Sequence, residues 1–454
     1  MAIQSLNPAT GEVLATFDEY TPEQTNDILT STATAWKTWR TTTFAERAAC
    51  LQRAATLLRE QKTRLAETIA LEMGKPIRQG SAEVEKCAAV CEYYAQEGEA
   101  MLAPQPVDGP GRKAYITFEP LGTVLTVMPW NYPLWQVFRI AAPSLMAGNG
   151  VVLKHASNVP QCALAIEQIF KDAGCLENIF RTLLIGARQV EAVLDHPSVF
   201  AVSLTGSEYA GQKVAAAAGA RLKKTVMELG GSDPFIVMPD ADLDEAVKVA
   251  THSRCGNTGQ ACIAAKRFIV FDTVYDAFVT RLEESMSRLV IGDPLDQATD
   301  MGPMSSTTLR AELQGQIDRC VEAGGTIRMG GATPKGPGAY YPPTIITDVP
   351  RTAAICQEEF FGPAALIFSV SSEEEALALA NDTPFGLGGS IWSQDEESAL
   401  AMTSEIRTGG VFVNGLVRSS LHLPFGGVGN SGYGRELGTY GIREFTNVKS
   451  VCVG

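Results

Sequence analysis

GTVLTVMPW (122–130), PLWQVFRIAAPSLMAG (133–148) and NGVVLKH (149–155) follow one another, with only Asn131 and Tyr132 between the first two. The first and third are short apolar runs rich in β-branched residues, as strands buried on both faces are. The second has the length and composition of a helix. The alternation continues outward. CALAIEQIFKDAG (162–174) reads as a helix, FRTLLIG (180–186) as a strand, QVEAVLDHP (189–197) as a short helix and FAVSLTG (200–206) as a strand. Such alternation predicts a parallel sheet with helices on both faces, a Rossmann-type layout. A second series begins after Glu228: PFIVM (234–238), a helix from Leu243, RFIVFD (267–272), a helix from Tyr275, then the strands TIRMGG (326–331) and VFVNG (411–415). It predicts a second α/β unit reaching about Phe425.

Upstream, residues 21–103 are mostly helical in pattern, with Phe44, Ala48, Leu51, Ala55 and Leu58 as a buried stripe. Prolines and glycines break the pattern at 104–111, and KAYITFEPL (113–121) then reads as an exposed or edge strand. The chain closes on a strand-like NVKSVCVG with no obvious partner, which leaves pairing elsewhere, another subunit included, as the expectation.

At 454 residues the chain has room for two or three units. Its 51 acidic against 37 basic side chains give a net charge of −14, which argues against nucleic acid or an anionic membrane as a general partner. No uninterrupted apolar stretch reaches about 18 residues, so no membrane span is expected. MAIQSLNPATGEVLATF at the start has no basic region followed by a long apolar one, so no secretory signal is expected. Ten scattered cysteines and four histidines outside any ligand pattern predict a reduced, cytoplasmic protein without a catalytic metal, its cysteines other than Cys262 being buried and structural.

Four stretches carry chemistry. In NTGQACIAAKR (257–267), Cys262 follows a glycine turn; a thiolate there is a nucleophile if nearby charge or amide dipoles lower its pKa. In VMELGGSDP (226–234), Glu228 beside two glycines suits a partly desolvated general base. In MPWNYP (128–133), Asn131 can donate an amide hydrogen to an oxyanion. In LTGSEYAG (204–211), glycines and a serine open a helix, a place for phosphate. Each alone is weak, and the last is not the GxGxxG fingerprint.

Together and in order they resemble the NAD(P)-dependent aldehyde dehydrogenase superfamily over essentially the whole chain. EEFFGP (358–363), NDTPFGLGGSIW (381–392) and PFGGVGNSGYGRE (424–436) extend the resemblance. It implies an α/β fold with a cofactor-binding domain at 1–106 and 122–228, a catalytic domain at 229–436, and a small β oligomerisation element at 107–121 with 437–454, in a homodimer or homotetramer. It also implies roles. Cys262 attacks the aldehyde, Asn131 and the Cys262 backbone hold the oxyanion, hydride passes to the nicotinamide, and Glu228 activates the water that hydrolyses the thioester. Glu359 lies with the nicotinamide ribose and Phe361 beside it, Gly206 and Ser207 with the pyrophosphate, Lys154 with the adenosine ribose, and Trp130 is a further cofactor-binding residue. Where NAD-preferring relatives often carry glutamate, this chain has Ser157. Without that carboxylate a 2′-phosphate is not repelled, so NADP is the expected cofactor and NAD the weaker one.

For the substrate, the chain is similar to succinic semialdehyde dehydrogenases. They have an arginine where Arg139 stands and a serine where Ser419 stands, and Trp135 would wall the pocket. A guanidinium suits a substrate carboxylate. Many of them carry a second arginine just before NTGQ; here that position is Gly256. A general aliphatic aldehyde dehydrogenase, or a thiol hydrolase without redox chemistry, stays open as an alternative.

Overall fold

The computed structural model describes residues 2–454. The chain is α/β, and the described residues form two large sheets and two small ones. Across the first large sheet the strands run Gly432–Tyr433, Lys224–Glu228, Val199–Thr205, Thr123–Met128, Gly150–His155 and Phe180–Thr182. The last five are parallel to one another. Val124, Leu125, Val151, Val152, Ala201 and Val202 are all fully buried, which is why these runs show no polar alternation. Strand order reverses beside Thr123–Met128. In open parallel sheets a crevice forms at such a reversal, outside the carboxyl ends of the strands. Here those ends lead into Pro129-Trp130-Asn131 and into Gly206-Ser207.

The second large sheet has seven strands, with Ala265–Phe271 at its centre between Asp233–Val237 and Ala364–Val370. Only the Thr326–Met329 and Thr344–Thr347 pair is antiparallel. Helix Phe44–Glu60 begins at a capping box: Thr43 Oγ1 accepts from Glu46 N (3.2 Å) and Glu46 Oε2 accepts from Thr43 N (2.7 Å). Leu51, Ala55 and Leu58 are buried as expected, while Phe44 and Ala48 are only partly so. Arg47, Cys50 and Ala54 join the buried face, because helices Ile77–Met101, Trp135–Met146 and Pro160–Asp172 all pack against this one.

Several expectations change. The closing strand Thr446–Val453 has a partner in its own chain: it pairs antiparallel with Lys113–Pro120 over eight residues. Lys113–Pro120 is therefore not an edge but the middle of a three-stranded sheet, with Gln105–Pro106 on its other side. Gly432–Tyr433, expected with the second unit, pairs with Lys224–Glu228 of the first. Cys50 and Cys175 are joined as a disulfide with Cα atoms 5.4 Å apart, against the expectation of reduced cysteines throughout. Cys452 is exposed rather than buried, because it lies on the outer strand of the small sheet. Among the described residues no helix is long and apolar enough to cross a membrane.

Candidate active site

Cys262 stands on the loop between helix Leu243–Cys255 and strand Ala265–Phe271. The helix is followed by three left-handed residues, Asn257, Thr258 and Gly259 (φ +52°, +55° and +72°). Two non-glycine residues in succession there are uncommon, so other bonds must hold them. Asn257 N donates to Gln79 Oε1 (2.8 Å), and Asn257 Nδ2 to the Asn131 carbonyl (2.8 Å). Thr258 Oγ1 donates to the Gly302 carbonyl (3.0 Å). The fully buried Arg254 donates to the carbonyls of Gly259 and Ala265, bracketing the loop. A side chain at Gly259 is excluded, since its Cβ would lie 2.4 Å from Gly362 backbone atoms.

This loop delivers Cys262 to the junction of two cavities. One, of about 280 Å³, is lined by Trp135, Arg139, Ser419, Lys86, Tyr132 and Phe425 among others. The second, of about 270 Å³, is lined by Trp130, Asn131, Gly206, Ser207, Glu359 and Phe361 among others. Only Cys262 and Gln136 line both. The residues marked in the sequence for the substrate and for the nicotinamide and pyrophosphate thus meet at the thiol, while Lys154, Ser157 and Glu228 line neither cavity.

Burial pushes the Cys262 thiol up to about 12, opposed by the charges of Lys266 and Arg139. Burial therefore disfavours the thiolate at this position. Asn131 is buried; its Nδ2 donates to the Gln260 carbonyl (3.0 Å), which fixes the amide against the loop. An amide nitrogen has a second hydrogen to offer.

Glu228 ends the Lys224–Glu228 strand, and among the described residues neither of its carboxylate oxygens has a hydrogen-bond partner. Its carboxyl is raised well above the usual range, first by burial and then by the Glu436 carboxylate. Gly426 makes room for it, as a Cβ there would lie 2.6 Å from Glu228 Oε1. Glu359 accepts from Gly231 N (3.0 Å) and pairs with Lys266 (3.2 Å). Phe361 meets Trp130 edge to face at 5.7 Å. Ser207 caps helix Glu208–Gly219, accepting from Ala210 N (3.3 Å), so the helix start opens into the second cavity.

Lys154 is buried at the end of the Gly150–His155 strand, and among the described residues it has no carboxylate partner. Burial alone lowers its pKa. Ser157, three residues on, is exposed. Without a carboxylate partner among the described residues, this buried ammonium suits an anionic group of a nucleotide.

Arg139 lines the first cavity, as expected, but its guanidinium is not free for a ligand. It is 2% exposed, its Nε pairs with the buried Glu436, and its Nη2 donates to Thr205 Oγ1 (3.3 Å). Its guanidinium also lies 4.8 Å from the centre of the Phe425 ring. The reason is that burial in the Trp135–Met146 helix demands a counter-charge, which Glu436 supplies. Ser419 is buried in the cavity and accepts from Lys86 Nζ (2.6 Å). Trp135 is buried with Lys86 Nζ 4.0 Å from its ring centre. Arg254, Gln136 and Lys86 had no signal in the sequence, and Glu436, though it ends the motif at 424–436, was given no role there. Each is placed by contacts distant along the chain or stands in an ordinary helical pattern.

The sequence pattern of the aldehyde dehydrogenase family matches residues 1–451. A probable succinate-semialdehyde dehydrogenase (NADP(+)) of Synechocystis sp. is 48% identical over 453 residues, covering all of both chains. A succinate-semialdehyde dehydrogenase (NADP(+)) of Mycobacterium leprae is 47% identical over 456 residues, again covering both completely. The crystal structure of succinic semialdehyde dehydrogenase from Streptococcus pyogenes, in complex with NADP+, superposes with a TM-score of 0.98 at 39% identity and full coverage of both chains. The chain belongs to the aldehyde dehydrogenase family.

Proposed function

We propose that this enzyme oxidises succinic semialdehyde to succinate with NADP as acceptor. The observation that carries the reading is the position of Cys262, shared by a cavity with a cationic wall and a cavity with the residues suited to a nucleotide. The names of the relatives support the substrate and the cofactor. Lys154, without a carboxylate partner among the described residues, and Ser157 in place of an acidic residue support NADP over NAD.

In this reading the aldehyde enters along Trp135 and its carbon meets Cys262 Sγ. The thiolate adds, the S–C bond forms, and the carbonyl electrons move to oxygen. That oxyanion takes hydrogen bonds from Asn131 Nδ2 and the Cys262 backbone N–H, which act where charge develops. Lys154, Ser157, Gly206, Ser207, Trp130, Glu359 and Phe361 would hold the cofactor. The chemistry a bound NADP supplies is two-electron acceptance, which turns the adduct on Cys262 into a thioester. Glu228, deprotonated, then takes a proton from water. The resulting hydroxide attacks the thioester carbon, and Cys262 leaves as thiolate with succinate as product. A carboxylate without hydrogen bonds is poised for this, because its basicity is raised by the burial that also destabilises its charge.

The same reading gives the six-stranded sheet to the cofactor, the seven-stranded sheet to catalysis, and the three-stranded sheet to assembly of a homo-oligomer. Initial rates at 340 nm, with succinic semialdehyde and with butanal, each with NADP and with NAD, test it. Succinic semialdehyde with NADP should lead by tenfold or more in kcat/KM, about 1.4 kcal/mol. Equal rates with butanal would make this a general aldehyde dehydrogenase, and a clear NAD preference would overturn the reading of Ser157.

A further inference from the structure

Arg139 leaves a question about charge. A carboxylate entering the first cavity needs a cation to meet it, yet Arg139 is already paired with Glu436 and bonded to Thr205. A different cation faces the cavity. Lys86, on helix Ile77–Met101, lines it, and among the described residues it has no carboxylate partner. Its ammonium donates to Ser419 Oγ (2.6 Å) and rests 4.0 Å from the Trp135 ring centre. Acids on its own helix are committed elsewhere: Glu83 pairs with the buried Lys75 and accepts from Leu134 N and Trp135 N, and Glu85 pairs with Arg59. Across the cavity, Gly256 leaves open space where a side chain would otherwise stand.

We propose that Lys86 is the specificity-determining cation of this enzyme, binding the substrate carboxylate together with the Ser419 hydroxyl. This deepens the substrate reading above and rests on it. Two donors on one small patch, an ammonium and a hydroxyl, match the two oxygens of a carboxylate. The Ser419 hydroxyl accepts from Lys86, which leaves its own hydrogen free for the ligand. The Trp135 ring holds the ammonium in place by a cation–π contact while no anion is bound. Arg139 then adds to the field from behind, through a guanidinium neutralised in part by Glu436.

Burial and the charge of Arg139 bring the Lys86 ammonium down to about 8. Arg418 also lowers it from across the cavity, while Cys87 and Glu83 on its own helix raise it. His252 lines the same cavity from helix Leu243–Cys255. The protonated form binds an anion, so KM for succinic semialdehyde should climb as pH passes about 8, and KM for butanal should not follow it.

The test compares wild type, Lys86→Gln and Lys86→Arg with both aldehydes, at saturating NADP, from pH 6.5 to 9. The ratio of kcat/KM for succinic semialdehyde over butanal should fall tenfold or more in Lys86→Gln, through KM, and recover in large part in Lys86→Arg. The rise in KM above pH 8 should disappear in Lys86→Arg, whose guanidinium keeps its proton. A ratio that stays at the wild-type value in Lys86→Gln, while wild type still favours succinic semialdehyde, overturns the role of Lys86 and leaves the substrate reading intact. A wild-type ratio near one overturns the substrate reading and this proposal with it. Should Lys86→Gln fail to fold, Lys86→Met carries the same comparison: a ratio of kcat/KM for the two aldehydes that stays at the wild-type value overturns the proposal.

Discussion

Glu228 is a base kept in a place that disfavours its charge. Burial raises its carboxyl, so the folded chain holds that proton more tightly than the unfolded chain does. The sign follows from linkage. This group's contribution to stability is intact below the unfolded value near 4.5 and is lost as pH rises through the higher folded value. Glu228→Gln should therefore stabilise the protein more at pH 8 than at pH 5, by on the order of 1–2 kcal/mol at the higher pH. It should also cut turnover by roughly 10²–10⁴, since hydrolysis loses its base. Thermal unfolding at the two pH values and steady-state rates check this; equal stability gains at both would refute the buried-charge account. At this scale the sequence was legible where a motif marked the residue. Cys262, Asn131, Glu359 and Phe361 sit on short stretches with their own local pattern, and all of them line the second cavity. Arg139 was legible as a cation in the right region but not as half of an ion pair, because Glu436 lies 297 positions further along the chain and no local pattern joins them.

Helix Trp135–Met146 shows how one element is aimed. Its first turn is capped from a different helix: Glu83 Oε1 accepts from Leu134 N (2.9 Å) and Trp135 N (3.0 Å), a carboxylate at the positive end of the helix. The other Glu83 oxygen pairs with Lys75, whose ammonium also lies 3.6 Å from the Tyr132 ring centre. Burial lowers the Lys75 pKa, so this pair persists only because each partner compensates the other. Lys75→Met strands the Glu83 charge and should cost about 3–5 kcal/mol. Lys75→Met with Glu83→Gln should recover much of that. Urea unfolding of the two variants is the measurement, and a double variant no more stable than the single one would show that the pair is not the unit. Strands and helices were readable from apolar periodicity because each depends on its own residues. The cap was not, since Leu134 has no capping side chain and its substitute comes from 51 residues earlier.

For the whole molecule, the small sheet is the part most open to a partner. Thr446–Val453 forms its outer strand, with Val448 59% exposed and an unpaired edge beyond it. Exposed edges invite pairing with a further strand. If this sheet joins subunits, Val448→Lys with Cys452→Lys, which share one face of the strand, should shift light-scattering mass toward the monomer. An unchanged mass would remove the strand from the interface. The sequence showed a closing strand in need of a partner. It did not show that the partner was Lys113–Pro120, because a pairing across more than 300 residues depends on how the two α/β units fold between them.

The meeting of two cavities at one sulfur has a consequence for traffic. Among the described residues the two cavities share no lining residue but Gln136 and Cys262. In the proposed reading neither occupant has to vacate a passage for the other, so an acid product can depart while the spent nucleotide stays, and a fresh aldehyde can queue before the exchange is finished. The enzyme is a gate with two doors and a single keyhole, and the sequence in which the doors open is left to rates rather than to obstruction.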